Sequence, residues 1–119
     1  MAMSTINVGA GEDIFRQGEA GHDAFIIRKG QVAILHRDAR GQEAAIAFRG
    51  PGELIGEMAL ASRELRSATA QARTACILVA LSRDEIEQRV AEADPILQIV
   101  LQTAFARLRE IMPVQGSSG

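Results

Sequence analysis

Ile55-Gly56-Glu57-Met58-Ala59-Leu60, a gap of five residues, and then Arg66-Ser67-Ala68-Thr69-Ala70-Gln71-Ala72 is the stretch on which the reading of this chain turns. Gly56 lets the backbone approach a ligand closely, and the run from Glu57 to Ala61 is long enough for one helical turn whose exposed amides attract an anion. Arg66 offers two parallel donors to an oxyanion, and Ser67 and Ala68 add backbone amides behind side chains too small to block approach. Glu57 is out of place beside an anion unless it has a partner of its own. A carboxylate only accepts hydrogen bonds, so it suits a ligand hydroxyl, and Arg66 close by would keep it ionised. An anion and a hydroxyl side by side describe a ribose phosphate.

Outward from this stretch, the first eighty residues are punctuated by Gly9, Gly11, Gly18, Gly21, Gly30, Gly41, Gly50, Gly52 and Gly56. Short β-prone runs lie between them at 13–16, 24–28, 31–37, 43–48 and 53–55, and continue at 67–72 and 76–81, the spacing of an all-β sandwich or barrel. Lys29-Gly30 is too tight a link for anything but a hairpin or bulge. Gly50-Pro51-Gly52 forces a sharp turn. With apolar residues on one face only, the sheets must close on each other. Ser82-Arg83-Asp84-Glu85 then reads as a capping box that starts a helix at about Asp84. Asp94-Pro95 starts a second, aspartate as cap and proline at the first helical position. In that helix Leu97, Val100, Leu101, Ala104, Leu108 and Ile111 form one apolar stripe, read as core, up to a break at Pro113.

Composition narrows the function classes. The 119 residues are 47% apolar and 24% charged, as expected of one compact domain, too short for a second full one. Thirteen basic against fifteen acidic residues give a formal charge of −2, so no global field gathers nucleic acid or an anionic membrane, and any anion must be caught locally. Lys29 is the single lysine, and the other basic residues are arginines, whose planar fork suits oxyanions. The single cysteine, Cys76, cannot form an internal disulfide, and residues 1–8 lack a signal-peptide pattern, so a cytoplasmic setting is expected.

The cassette at 55–72 resembles the phosphate-binding cassette of the cyclic-nucleotide-binding domain family, which includes catabolite activator proteins, regulatory subunits of cyclic-AMP-dependent kinase and cyclic-nucleotide-gated channels. The family's Gly-Glu-x-(small)-Leu, short gap, Arg-(Ser/Thr/Ala)-Ala pattern is filled throughout. The segment from Ile14 to Gly30 is similar to the family's first signature in its glycine spacing, and departs from it at Phe15 and Ala24, both read as packing positions. The resemblance covers about residues 10–110. It implies a mainly β fold: an eight-stranded antiparallel β-roll, double-stranded β-helix or jelly-roll-like, with a short cassette helix and two C-terminal helices. The expected division is an N-terminal lead-in at 1–9, the roll at 10–82, hinge and lid helices at 83–112 and a flexible tail at 113–119.

Carried over by position, the resemblance makes Glu57 the acceptor for the ribose 2′-hydroxyl and Arg66 the phosphate-binding arginine. It makes the backbone near Gly56, Ala59, Ser67 and Ala68 the source of the remaining donors. Met58 and Leu60 would repack against the C-terminal helices when ligand binds, and Arg107, on the lid helix, would stack on the purine. Cyclic AMP is favoured only weakly over cyclic GMP, because Ser67 suits a phosphate or a guanine 2-amino group. No nucleophile with an adjacent base, pair of carboxylates or metal-ligand set accompanies the cassette, so binding without chemistry is expected, with no cofactor and no metal. His22 and His36 read as solvated, Cys76 as core, and Gly9-Ala10-Gly11 as no dinucleotide fingerprint, since Ile14 stands where its third glycine would be.

Residues 113–119 are too few for a DNA-reading element and no apolar run approaches the length of a membrane span, so no nucleic-acid partner and no membrane is expected. The reading is a sensor module whose last helix acts on an output domain outside this chain, or pairs in a homodimer. The step from Glu57 to Arg66 looks more like the kinase and channel versions. The alternative is a ligand-free structural or dimerisation module of the same fold.

Overall fold

The structure, a computed structural model, describes residues 4–61 and 64–111. Its strands are β1 (Ser4–Val8), β2 (Asp13–Phe15), β3 (Asp23–Lys29), β4 (Val32–Arg37), β5 (Glu43–Arg49), β6 (Leu54–Ile55), β7 (Thr69–Ala72) and β8 (Cys76–Ser82). The helices are α1 (Met58–Ala61), α2 (Arg83–Ala91) and α3 (Pro95–Ile111). The strands form two four-stranded antiparallel sheets, in the orders β1-β8-β3-β6 and β2-β7-β4-β5. This is the expected eight-stranded β-roll with C-terminal helices. Ile27, Val32, Ile55 and Leu78 from both sheets meet in the core, which a chain of this composition closes with Ala70, Ala72 and Ala80.

The lead-in is itself structured: residues Ser4 to Val8 pair with β8 from Ala80 to Cys76. The link at Lys29-Gly30 is not a hairpin, because β3 and β4 lie in different sheets. It carries a bulge on the β3 side, where the register against β8 shifts between Ile27 and Lys29. Gly30 makes the crossing possible: its φ is +100°, and a Cβ there would lie 2.5 Å from the Ala75 carbonyl and 2.6 Å from Cys76 Sγ. The turn at 50–52 likewise takes the chain from one sheet to the other, closed by Gly50 N donating to Glu53 Oε2 at 2.7 Å.

The capping box forms as read: Glu85 N donates to Ser82 Oγ at 3.0 Å and Ser82 N to Glu85 Oε1 at 3.1 Å. Asp94 Oδ1 accepts from Ile96 N at 2.8 Å at the start of α3. The apolar stripe of α3 is the correction. Leu97 is 48% and Val100 56% exposed, Ala104 is exposed, and only Leu101 and Leu108 are half-buried. The principal neighbours of α3 are α1 and α2, not a sheet, so a helix with apolar side chains on a broad face has too little surface beneath it. The break at Pro113 and the tail at 113–119 lie outside the described residues, as does the side chain of Ile111.

Candidate functional site

Arg66 is placed by its main chain. Its N–H donates to the Glu19 carbonyl and its carbonyl accepts from Gly18 N, both at 2.8 Å, which ties the start of β7 to the loop between β2 and β3. Gln17 N donates to Thr69 Oγ1 at 2.9 Å and extends the same seam. The side chain turns inward. Nη2 donates to the Asp23 carbonyl at 2.8 Å and Nη1 to the Gly56 carbonyl at 3.4 Å, while Nε is buried with no hydrogen-bond partner. Burial pulls the Arg66 pKa down, and the Asp23 and Glu19 carboxylates oppose that shift. An arginine so placed still stays charged.

Gly56 is demanded twice at this point. Its φ is +71°, and a Cβ there would lie 2.9 Å from Arg66 Nη1 and 3.0 Å from the Phe15 ring. From Gly56 the chain makes one helical turn, with Ala59 N donating to the Gly56 carbonyl at 3.1 Å and Leu60 N to the Glu57 carbonyl at 2.9 Å. The Ala59 amide, expected to face a ligand, is therefore engaged in closing the turn. The amides of Ser67 and Ala68 have no acceptor among the described residues. Glu57 is exposed, and among the described residues no ion pair joins it to Arg66; the arginine's near partners are main-chain carbonyls instead.

One open cleft gathers most of the expected residues. Gly56, Glu57, Met58, Ala59, Arg66, Ser67 and Ala68 all line it. Leu60 is half-buried and Arg107 exposed on α3, and neither lines the cleft. The rest of the wall is Phe15, Ile34, Arg49 and Leu54, which lie outside the cassette expected at 55–72, and Ile55, Glu64 and Leu65, which lie within it without having been singled out as ligand-binding. Ile34 and Arg49 sit on β4 and β5, where strand alternation was the only available signal. Arg49 Nη1 donates to the Phe48 carbonyl at 3.0 Å. A polar end with a carboxylate, a guanidinium and free amides, continued by apolar walls, is the chemistry of a phosphorylated sugar carrying a flat base.

Residues 5–93 match the cyclic nucleotide-binding domain family. This chain belongs to that family. The domain is 34% identical over 100 residues to the cyclic AMP receptor protein of Thermus thermophilus, covering 84% of this chain and 46% of that protein. It is 30% identical over 99 residues to the cAMP-activated global transcriptional regulator CRP of Salmonella typhimurium, covering 82% and 47%. The chain thus spans about half the length of these curated relatives. Among solved structures, the EAL enzyme Bd1971 in its halfsite-occupied form superposes with a TM-score of 0.85 at 32% identity, covering 92% of this chain and 97% of that one. The cAMP-bound PfPKA-R superposes at 0.70 with 29% identity, covering 76% and 34%.

The cyclic nucleotide-binding domain has no metal-ligand cluster and no helix long and apolar enough to cross a membrane among its described residues. His22 is exposed and His36 half-buried in β4. Cys76 is buried in the core.

Proposed function

We propose that this chain is a sensor module that binds a cyclic purine nucleotide in the cleft between α1 and the start of β7 and performs no chemistry on it. The observation that carries the reading is the convergence of Glu57 and Arg66 on one cleft with the unengaged amides of Ser67 and Ala68. In this reading Arg66 and those amides hold the cyclic phosphate and Glu57 accepts from the ribose 2′-hydroxyl. Cyclic AMP is favoured weakly: the named relatives are cyclic AMP receptors, while the Bd1971 enzyme has been solved with either cAMP or cGMP bound. Ligand favours the state in which α3 lies over the base with Arg107 against it, and Met58 and Leu60 repack toward α2 and α3. The shift in population is bounded by the differential affinity for the two states. The output lies in a domain outside these residues or in a second copy, with no nucleic acid bound by this module itself and a cytoplasmic setting.

A second reading is a ligand-free interaction module, favoured by one observation: Ile96 and Ile99 on α3 are 73% and 64% exposed. Calorimetric titration of nucleotide-free protein with cyclic AMP, cyclic GMP and 2′-deoxy cyclic AMP separates the two. The sensor reading expects saturable heat with at least one cyclic nucleotide and weaker binding of the deoxy analogue, with that penalty removed in Glu57→Ala. Absence of heat from every nucleotide favours the interaction module.

A further inference from the structure

Phe15 ends β2 and was expected only to pack, but its ring lies beneath the Arg66 guanidinium, with Cζ 4.1 Å from the ring centroid. The ring is held in turn by Phe25, stacked at 6.1 Å between centroids and 22° between planes, and by the hydrophobic core. Behind the guanidinium, Gly21 leaves the space it needs: a Cβ there would fall 2.0 Å from Nε and 2.3 Å from Cζ. Face, edge and back of the group are thus occupied by a ring, two carbonyls and a glycine.

We propose that Phe15 is a positioning residue for anion capture by Arg66, an inference that rests on the nucleotide-binding reading of the cleft. A carboxylate in that place would orient the arginine by consuming its N–H donors and neutralising its charge, in direct competition with a phosphate. An aromatic face attracts the same cation through the ring quadrupole and uses none of the five donors. A free arginine side chain samples many rotamers, so a guanidinium already seated on Phe15 has less freedom to lose when the anion arrives.

The test uses the full chain and two readouts. In nucleotide-free protein the Arg66 Hε NMR signal, assigned by its absence in Arg66→Lys, is expected to show the displacement of a proton held over a ring. It should be kept in Phe15→Tyr and lost in Phe15→Leu and Phe15→Met, two variants that keep apolar volume so that one folded protein, checked by its thermal transition, suffices. By calorimetry with the tighter of cyclic AMP and cyclic GMP, Leu or Met is expected to weaken binding about three- to tenfold and Tyr less than twofold, the range of a partly desolvated cation–π contact. An Hε signal and affinity unchanged in Phe15→Leu overturn the proposal. So does an equal loss of affinity in Phe15→Tyr, which would make the residue mere packing. If wild type binds neither nucleotide, the function of the cleft falls and the positioning role with it, even where the Hε signal reports the pose intact.

Discussion

Arg66 is fixed at its α-carbon by two main-chain hydrogen bonds before its side chain meets anything, so its guanidinium arrives over Phe15 and the Asp23 carbonyl as a consequence of its anchoring to the loop between β2 and β3. Arg66→Ala is expected to keep the fold and cost about 2 to 5 kcal/mol of nucleotide binding, the range for removing one partner of a desolvated charge pair. Calorimetry reads this directly, and a loss below tenfold would remove Arg66 as the phosphate partner. Cys76 gives a second residue-scale expectation. Burial pushes its thiol pKa up, against hydrogen bonding to Gln31 and Thr74. The unfolded chain therefore gives up the thiol proton first, and the stability contributed by the neutral buried thiol is present below about pH 8.5 and lost as pH rises from there through the folded-state value. With no tyrosine and one lysine, few other side chains titrate nearby. Urea unfolding from pH 7 to 10 should show a declining stability that flattens in Cys76→Ala.

Elements differ in how plainly local sequence announced them. The box at Ser82 and Glu85 and the cap at Asp94 were legible because a cap satisfies its own helix end within three residues. The link at Lys29-Gly30 read as a possible hairpin because a two-residue connection says nothing about which sheet receives the next strand. Here it joins the two sheets, and Gly30 lies against Ala75 and Cys76, which are distant in sequence. Gly30→Ala combines a positive φ with a 2.5 Å approach to backbone, so it is expected to destabilise by about 2 kcal/mol or more, measured as a lower urea midpoint with unchanged m. The periodicity of α3 was equally visible, but periodicity names an apolar face without naming what covers it, and Leu97 and Val100 are exposed.

At the scale of the molecule, the cleft lies where α1, the segment leading into β7 and the ends of β2 and β5 come together, and those three strands belong to one four-stranded sheet of the roll. Ligand that binds only the folded state must then stabilise the whole domain: at a free concentration one hundred times Kd the gain is about 2.7 kcal/mol. Thermal melting with cyclic AMP or cyclic GMP should show a midpoint rising by several degrees and continuing to rise with concentration, with a much smaller rise in Arg66→Ala at the same concentration.

The sequence by itself determined the family resemblance, the roll and the helix starts, because each is written in contiguous residues or in a local period that steric and hydrogen-bonding rules convert directly into structure. Only the tertiary structure decided that Phe15 lies under Arg66, that Gly21 and Gly56 are empty because a guanidinium fills their side-chain space, and that α3 leaves apolar residues uncovered. Those facts depend on strand register and on which surfaces face each other, set by the packing of segments far apart in the chain, and no local pattern of residues encodes them.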